Sequence, residues 1–131
     1  MRTKIAVVLM AAFGGALALV AQEPKPLSYA AAVEPVFISE CGDCHGAEKP
    51  KKGLDLSKGR GFDHIVGKAS NEVPEMLLVK PGDPDASYLW QKLQHTAKEG
   101  RGMPRTIFSS KMLPAAELDV VKKWITDGAK P

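Results

Sequence analysis

Cys41-Gly42-Asp43-Cys44-His45 is the stretch on which the reading of this sequence turns. On a helix, Cys41 and Cys44 are three residues apart and Cys41 and His45 four apart. All three side chains then lean to one side. Two thiols so placed can add to the two vinyl groups of a haem, and the adjoining imidazole comes under the ring to bind the iron. Cys-x-x-Cys-His is the signature of that covalent attachment. Gly42 and Asp43 are small enough to let a porphyrin edge approach. The chain has two cysteines in all, and both lie in this pentad. The reading predicts one covalent haem c, with Cys41 and Cys44 as attachment points and His45 as an iron ligand.

Three other uses of the pentad compete with this one. A disulfide within Cys-x-x-Cys leaves His45 without a role. A thioredoxin-like redox pair belongs beside a βαβ pattern, and no strand–helix alternation surrounds this one. A structural zinc site needs four ligands; Cys41, Cys44, His64 and His95 supply the residue types without zinc-finger spacing.

Working outward, the pentad closes a helix expected from about Pro35 to Cys44. Proline is tolerated at a helix start because its missing N–H would have no partner there. Val33, Val36, Phe37 and Cys41 give this helix an apolar side. Leu54-Asp55-Leu56 reads as a short extended piece, and Phe62 to Val66 as one helical turn. A second helix is expected to open with Asp83 as N-cap and Pro84 at its first position. Its apolar face would be Ala86, Leu89, Trp90, Leu93 and Ala97. A third is expected from about Pro114 to Asp127, with Leu118, Val121 and Ile125 in one stripe, Trp124 beside it, and Gly128 as the terminating glycine. The candidate core and pocket residues are Val36, Phe37, Leu89, Trp90, Leu93, Leu118, Val121 and Ile125. Lys98 to Lys111 reads as a loop containing Gly100, Gly102 and Pro104.

Upstream lies a different kind of segment. Arg2 and Lys4 precede an uncharged run from Ile5 to Val20, which gives way to the polar Gln22-Glu23-Pro24-Lys25-Pro26. This pattern predicts a secretory signal peptide over residues 1–21, followed by one domain over 22–131. The run falls a little short of the ~20 residues of a spanning helix, and Gly14-Gly15 interrupts it. No stable membrane span is therefore expected after cleavage. Export places two neighbouring thiols in an oxidising compartment, where they do not stay free unless something captures them.

Composition sets the outer limits. The chain has 131 residues and a formal charge of +3, and the leader carries two of the cations. So mixed a charge pattern excludes a nucleic-acid binder, which needs a clustered basic face. Only two Trp, two Tyr and four Phe are present. Short helices, long loops and few aromatics make a thin core, which small domains supplement with a staple, metal or cofactor.

A thioether as the second iron ligand would raise the potential and suit electron transfer. Downstream of the leader the methionines are Met76, Met103 and Met112. Met103 sits in Gly-Arg-Gly-Met-Pro, with backbone freedom on one side and a rigid proline on the other, and is the leading candidate. Met112, in Lys-Met-Leu-Pro, is the runner-up, though its closeness to the third helix makes packing its more expected role. Met76 falls in an apolar run where core filling is the default. His64 and His95 are the remaining alternatives, each expected to be a partly exposed polar histidine.

Taken together, these residues resemble the small class I-like c-type cytochrome domains, including the type common in Planctomycetes. The resemblance rests on Val33-x-Pro35-Val36-Phe37, Cys41-x-x-Cys44-His45-Gly46 and Lys52-Gly53-Leu54-x-Leu56. It continues through Pro81-Gly82-Asp83-Pro84-x-x-Ser87-x-Leu89, Met103-Pro104 and Leu118-x-x-Val121-x-x-Trp124-Ile125-x-x-Gly128-Ala129. It implies an all-α fold, three main short helices and long loops wrapped around one haem c. It also implies His45 as proximal and Met103 as distal ligand, and first and last helices packed together. The chain departs from the pattern in a longer Arg105–Leu113 loop, in Pro114 where a Ser or Thr cap is usual, and over residues 57–76.

The function expected on this basis is a periplasmic mono-haem cytochrome carrying single electrons between redox proteins (a dehydrogenase, an oxidase or another cytochrome). Permanent association with a dehydrogenase is a variant of that role. The alternative is a haem enzyme, or a gas or peroxide sensor, with an open distal site; no acid–base pair marks such a site. Lys49, Lys51, Lys52 and Lys58 lie downstream of the pentad, either as a basic docking patch for an acidic partner or as an ordinary solvated loop.

Overall fold

The computed structural model describes residues 25–131, so the leader expected over residues 1–21 lies outside the described residues. Four α-helices are formed: α1 (Glu34–His45), α2 (Gly61–Ile65), α3 (Tyr88–Leu93) and α4 (Ala115–Thr126). Among the described residues there is no strand, only isolated bridges such as Val66 with Val79 and Leu77 with Ser87. The all-α expectation holds for the described residues.

The first helix begins earlier than the sequence pattern predicts. A wide-wound turn over Tyr29–Val33 leads directly into α1. Ser28 starts it by accepting a hydrogen bond on its hydroxyl from the Ala31 N–H, 3.2 Å away, the usual role of serine at a helix entrance. Glu34, buried in the first turn of α1, accepts the Gly59 N–H on its carboxylate. That bond ties the loop before α2 to the start of α1.

The second helix departs furthest from expectation. Asp83 and Pro84 form a turn, not the helix start, with the Asp83 carboxylate accepting the Ala86 N–H at 3.1 Å. Ser87 is extended, and α3 begins after it. The cause is competition for the first N–H groups of the helix, which have no intrahelical acceptor. Here Tyr88 N–H and Leu89 N–H donate to the carbonyls of Leu77 and Leu78, each at 2.9 Å. The helix is docked end-on against the 77–78 segment, and it stops before His95, whose φ of 59° is left-handed. Leu89, Trp90 and Leu93 are nonetheless buried as the periodicity predicts.

The core gathers Val33 and Phe37 from the first helical stretch, Leu56, Ile65 and Val79 from the middle, Leu89, Trp90 and Leu93 from α3, and Val121, Trp124 and Ile125 from α4. Val36 and Leu118, predicted core residues, are only partly buried against this cluster. Leu113 is buried and escaped the sequence reading. Tyr29 is the hinge-pin between the chain ends. Its ring lies 5.5 Å from that of Trp124, 5.8 Å from Phe62 and 6.2 Å from Phe37. The two edge-on contacts, with Phe37 and Phe62, contribute about 0.5–1.5 kcal/mol each beyond area burial; the Trp124 pair is tilted. The Lys130 carbonyl accepts both the Tyr29 N–H (2.9 Å) and the Trp124 indole N–H (2.7 Å). The entry to α1 and the end of α4 are thereby joined.

Candidate functional site

The last turn of α1 carries Cys41, Cys44 and His45, so the structure brings the predicted attachment residues together on one helix end. Both thiols are free and partly buried. Burial pushes the Cys41 thiol up to about 12, helped by the nearby charges of Glu40, Cys44 and Glu117. Lys51 donates from Nζ to Cys44 Sγ at 3.3 Å. A Cβ at Gly42 would meet nothing within 4 Å, so the backbone beside the thiols faces open space. Gly46 is the opposite case: a Cβ there would lie 2.6 Å from the Gly42 carbonyl oxygen. Only glycine lets the chain leave α1 this tightly.

It leaves in order to run back along the helix end. Leu56 N–H donates to the His45 carbonyl at 2.6 Å, and Asp55 is fixed by the Ser57 hydroxyl (2.6 Å) and Arg60 Nε (2.7 Å). This places the Leu54 carbonyl 3.2 Å from His45 Nδ1. A carbonyl only accepts, so Nδ1 carries the proton and Nε2 is left as a lone-pair donor. Burial lowers the pKa of His45 below its ordinary value, favouring the neutral imidazole. A backbone acceptor on one ring nitrogen is the usual support for a histidine that ligates metal through the other.

Met103 lies elsewhere, half-buried in the loop between α3 and α4. Its N–H donates to the Lys92 carbonyl at 2.9 Å, and its carbonyl accepts from His95 Nε2 at 3.2 Å. Among the described residues no hydrogen bond joins Met103 to the Cys41–His45 turn. Met112 is 45% exposed, which corrects its expected role in packing: Leu113 turns inward in its place. Met76 is half-buried. The zinc reading fails on geometry. Among the described residues no three His, Cys, Asp or Glu side chains cluster as a metal site, and His95 is turned to Met103.

The sequence profile of the family described as Planctomycete cytochrome C matches residues 41–105. The chain contains a small cytochrome c-type domain. The matched segment opens on Cys41 and runs past Met103-Pro104; Tyr29 to Glu40 and α4 lie outside it. No curated protein and no solved structure gives a significant match to the chain. The match supports haem c binding, an electron-transfer role and redox partners in general. Among the described residues no helix is long and apolar enough to cross a membrane.

The donor set of the cytochrome domain fits the group its family binds. Two free thiols, one imidazole held at Nδ1 by the Leu54 carbonyl and an open backbone face stand on a single helix end. Sequence reasoning missed three supporting features. The Leu54 carbonyl is invisible because any residue can supply it. Glu117, with Oε2 buried and unpartnered and its charge felt at Cys41, carries no motif or spacing that marks it. His95, read as a bland polar histidine, is indeed only partly exposed, but spacing gave no hint of its bond to Met103.

Proposed function

We propose that this chain is a periplasmic mono-haem c-type cytochrome that carries single electrons between redox proteins. Cys41 and Cys44 would hold the group, each thiol adding its sulfur and its hydrogen across one vinyl double bond, with nothing oxidised or lost. His45 Nε2 and the Met103 thioether would be the iron's two protein ligands. The observation that carries this reading is the bond from His45 Nδ1–H to the Leu54 carbonyl, which fixes the tautomer and the ring together. When bound, the group supplies a one-electron couple, at a potential that His/Met ligation raises.

The chain's part is attachment, orientation and exclusion of water. The half-buried Met103, against the more exposed Met112, favours Met103 as distal ligand. Lys49, Lys51, Lys52 and Lys58 are exposed beyond the helix end, where they suit an acidic partner. Such docking predicts that electron transfer slows as salt rises; a flat response assigns these lysines to a solvated loop.

The test is optical. The exported protein, oxidised, should show the weak red-end band of a thioether-ligated ferric haem. Met103→Ala should abolish the band and lower the potential, while Met112→Ala keeps it. If the unaltered reduced protein binds carbon monoxide readily, the distal position is open and the chain is a haem enzyme or sensor instead.

A further inference from the structure

Met103 stands on a glycine-rich loop, a poor base for an atom that must reach one fixed point. The structure shows how that loop is held. Tyr88, Lys92 and His95 follow one another at helical spacing along and just beyond α3, a polar stripe on a helix whose other side is core. Lys92 is only 6% exposed and pairs with Glu72 at 2.6 Å. The Tyr88 hydroxyl lies 2.7 Å from the same Glu72 oxygen and 2.9 Å from the Glu99 carbonyl. Lys92 Nζ also reaches the Glu99 carbonyl, at 3.5 Å.

The loop then presses onto this stripe with no room to spare. A Cβ at Gly100 would lie 2.2 Å from Lys92 Nζ and 2.7 Å from Glu72 Oε2. A Cβ at Gly102 would lie 2.3 Å from two ring atoms of His95. Gly102 is explained by the ring it touches, and Gly100 by its left-handed φ of 68° together with its place over the Lys92–Glu72 pair. His95 itself takes a left-handed φ of 59°, a cost for a non-glycine residue, and in return lays its ring on Gly102 with Nε2 at the Met103 carbonyl. With Met103 N–H on the Lys92 carbonyl, both peptide groups of Met103 are bonded to the end of α3.

We infer that Tyr88, Lys92 and His95 form a clamp that fixes the Met103 backbone through the protein alone, and that His95 is a positioning residue for the distal thioether. This rests on the reading of Met103 as distal ligand. The clamp lowers the freedom the loop must lose when the thioether engages, so it resists displacement of Met103 by an outside ligand.

The test compares the holoprotein with its His95→Ala, His95→Gln and Met103→Ala variants. Loss of one hydrogen bond and its ring contact should let imidazole displace Met103 at roughly fivefold to tenfold lower concentration in His95→Ala. The Met103 amide should exchange with solvent faster by a similar factor, and the red-end band should fade at lower temperature than in the parent. Gln offers an N–H donor on a side chain of similar reach and should recover most of each effect. Unchanged imidazole affinity and amide exchange in His95→Ala, or no recovery in His95→Gln, overturns the clamp. If Met103→Ala keeps the band, the distal-ligand reading itself is wrong, whatever the His95 variants do.

Discussion

At the Cys41 end of the molecule the candidate attachment residues sit within five consecutive residues of one helix, and a single returning backbone segment supports them. At the Met103 end, one methionine depends on residues drawn from 72, 88, 92, 95, 99, 100 and 102. The first region is built by local helical geometry; the second by an ion pair buried on its lysine side only, a left-handed histidine and two close glycine approaches. Local geometry tolerates error elsewhere in the fold. A network assembled over thirty residues does not, because removing one member leaves others buried and unpaired.

The largest expected effect comes from the local side. Cys41→Ala combined with Cys44→Ala should leave no haem on the chain after denaturing electrophoresis, read by peroxidase stain at the mature mass. Because the core is thin, the folded state should lose cooperativity as well, read by thermal unfolding. Retention of the stain in the double variant would remove the basis for the comparison, since attachment would then lie elsewhere.

A smaller effect is expected from the network. Lys92→Met removes the partner of Glu72, which is itself about one-third exposed at its side chain. Breaking a fully buried pair costs about 3–5 kcal/mol; water at Glu72 reduces this to roughly 2 kcal/mol. The pH dependence has a fixed sign. Glu72 is held below its ordinary value of 4.5 by the hydrogen bond from Lys92, then by that from Tyr88. A lowered folded-state pKa adds stability that is present above the unfolded value and is lost as pH falls through the folded one. The melting temperature of the parent should therefore drop as pH is lowered below 4.5. In Lys92→Met the drop should be shallower, with a remainder from Asp55 and Asp83, which are lowered too. An unchanged slope would mean that the Lys92 pair contributes nothing to the stability of the Met103 region.

The same contrast explains what the sequence could say. Cys-x-x-Cys-His is legible because its meaning depends only on helical spacing, and the buried faces of α3 and α4 are legible for the same reason. The start of α3 was misplaced because Asp83-Pro84 carries a good helix-start signal, while the acceptors that override it, the Leu77 and Leu78 carbonyls, have no sequence mark. Tyr29 was overlooked because it precedes the helix it helps to bury. His95, Glu72 and Lys92 read as ordinary polar residues until the fold brings them together. What stays hidden in a single sequence is contact across distance, and the Met103 side is made of little else.

The smallest expected effect separates the clamped part of the Met103 loop from its tip. Between Arg105 and Ser110, which form an isolated bridge, the chain makes a hairpin-like turn. Its order comes from Thr106: the N–H donates to the Ser109 carbonyl at 2.7 Å, and the hydroxyl accepts the N–H groups of Phe108 (3.2 Å) and Ser109 (3.0 Å). Ile107 and Phe108, at the tip, are 79% and 92% exposed and are not part of the core. Ile107→Ser with Phe108→Ser should thus move stability by no more than about 0.5 kcal/mol, measured by denaturant unfolding, and leave the red-end band intact. Thr106→Ala should loosen the turn by about 1 kcal/mol while also sparing the band, because Met103 is anchored on the α3 side. If the tip variant instead weakens the band or shifts unfolding by more than about 1 kcal/mol, the turn and the clamp are one unit, and the Met103 loop is held from both ends.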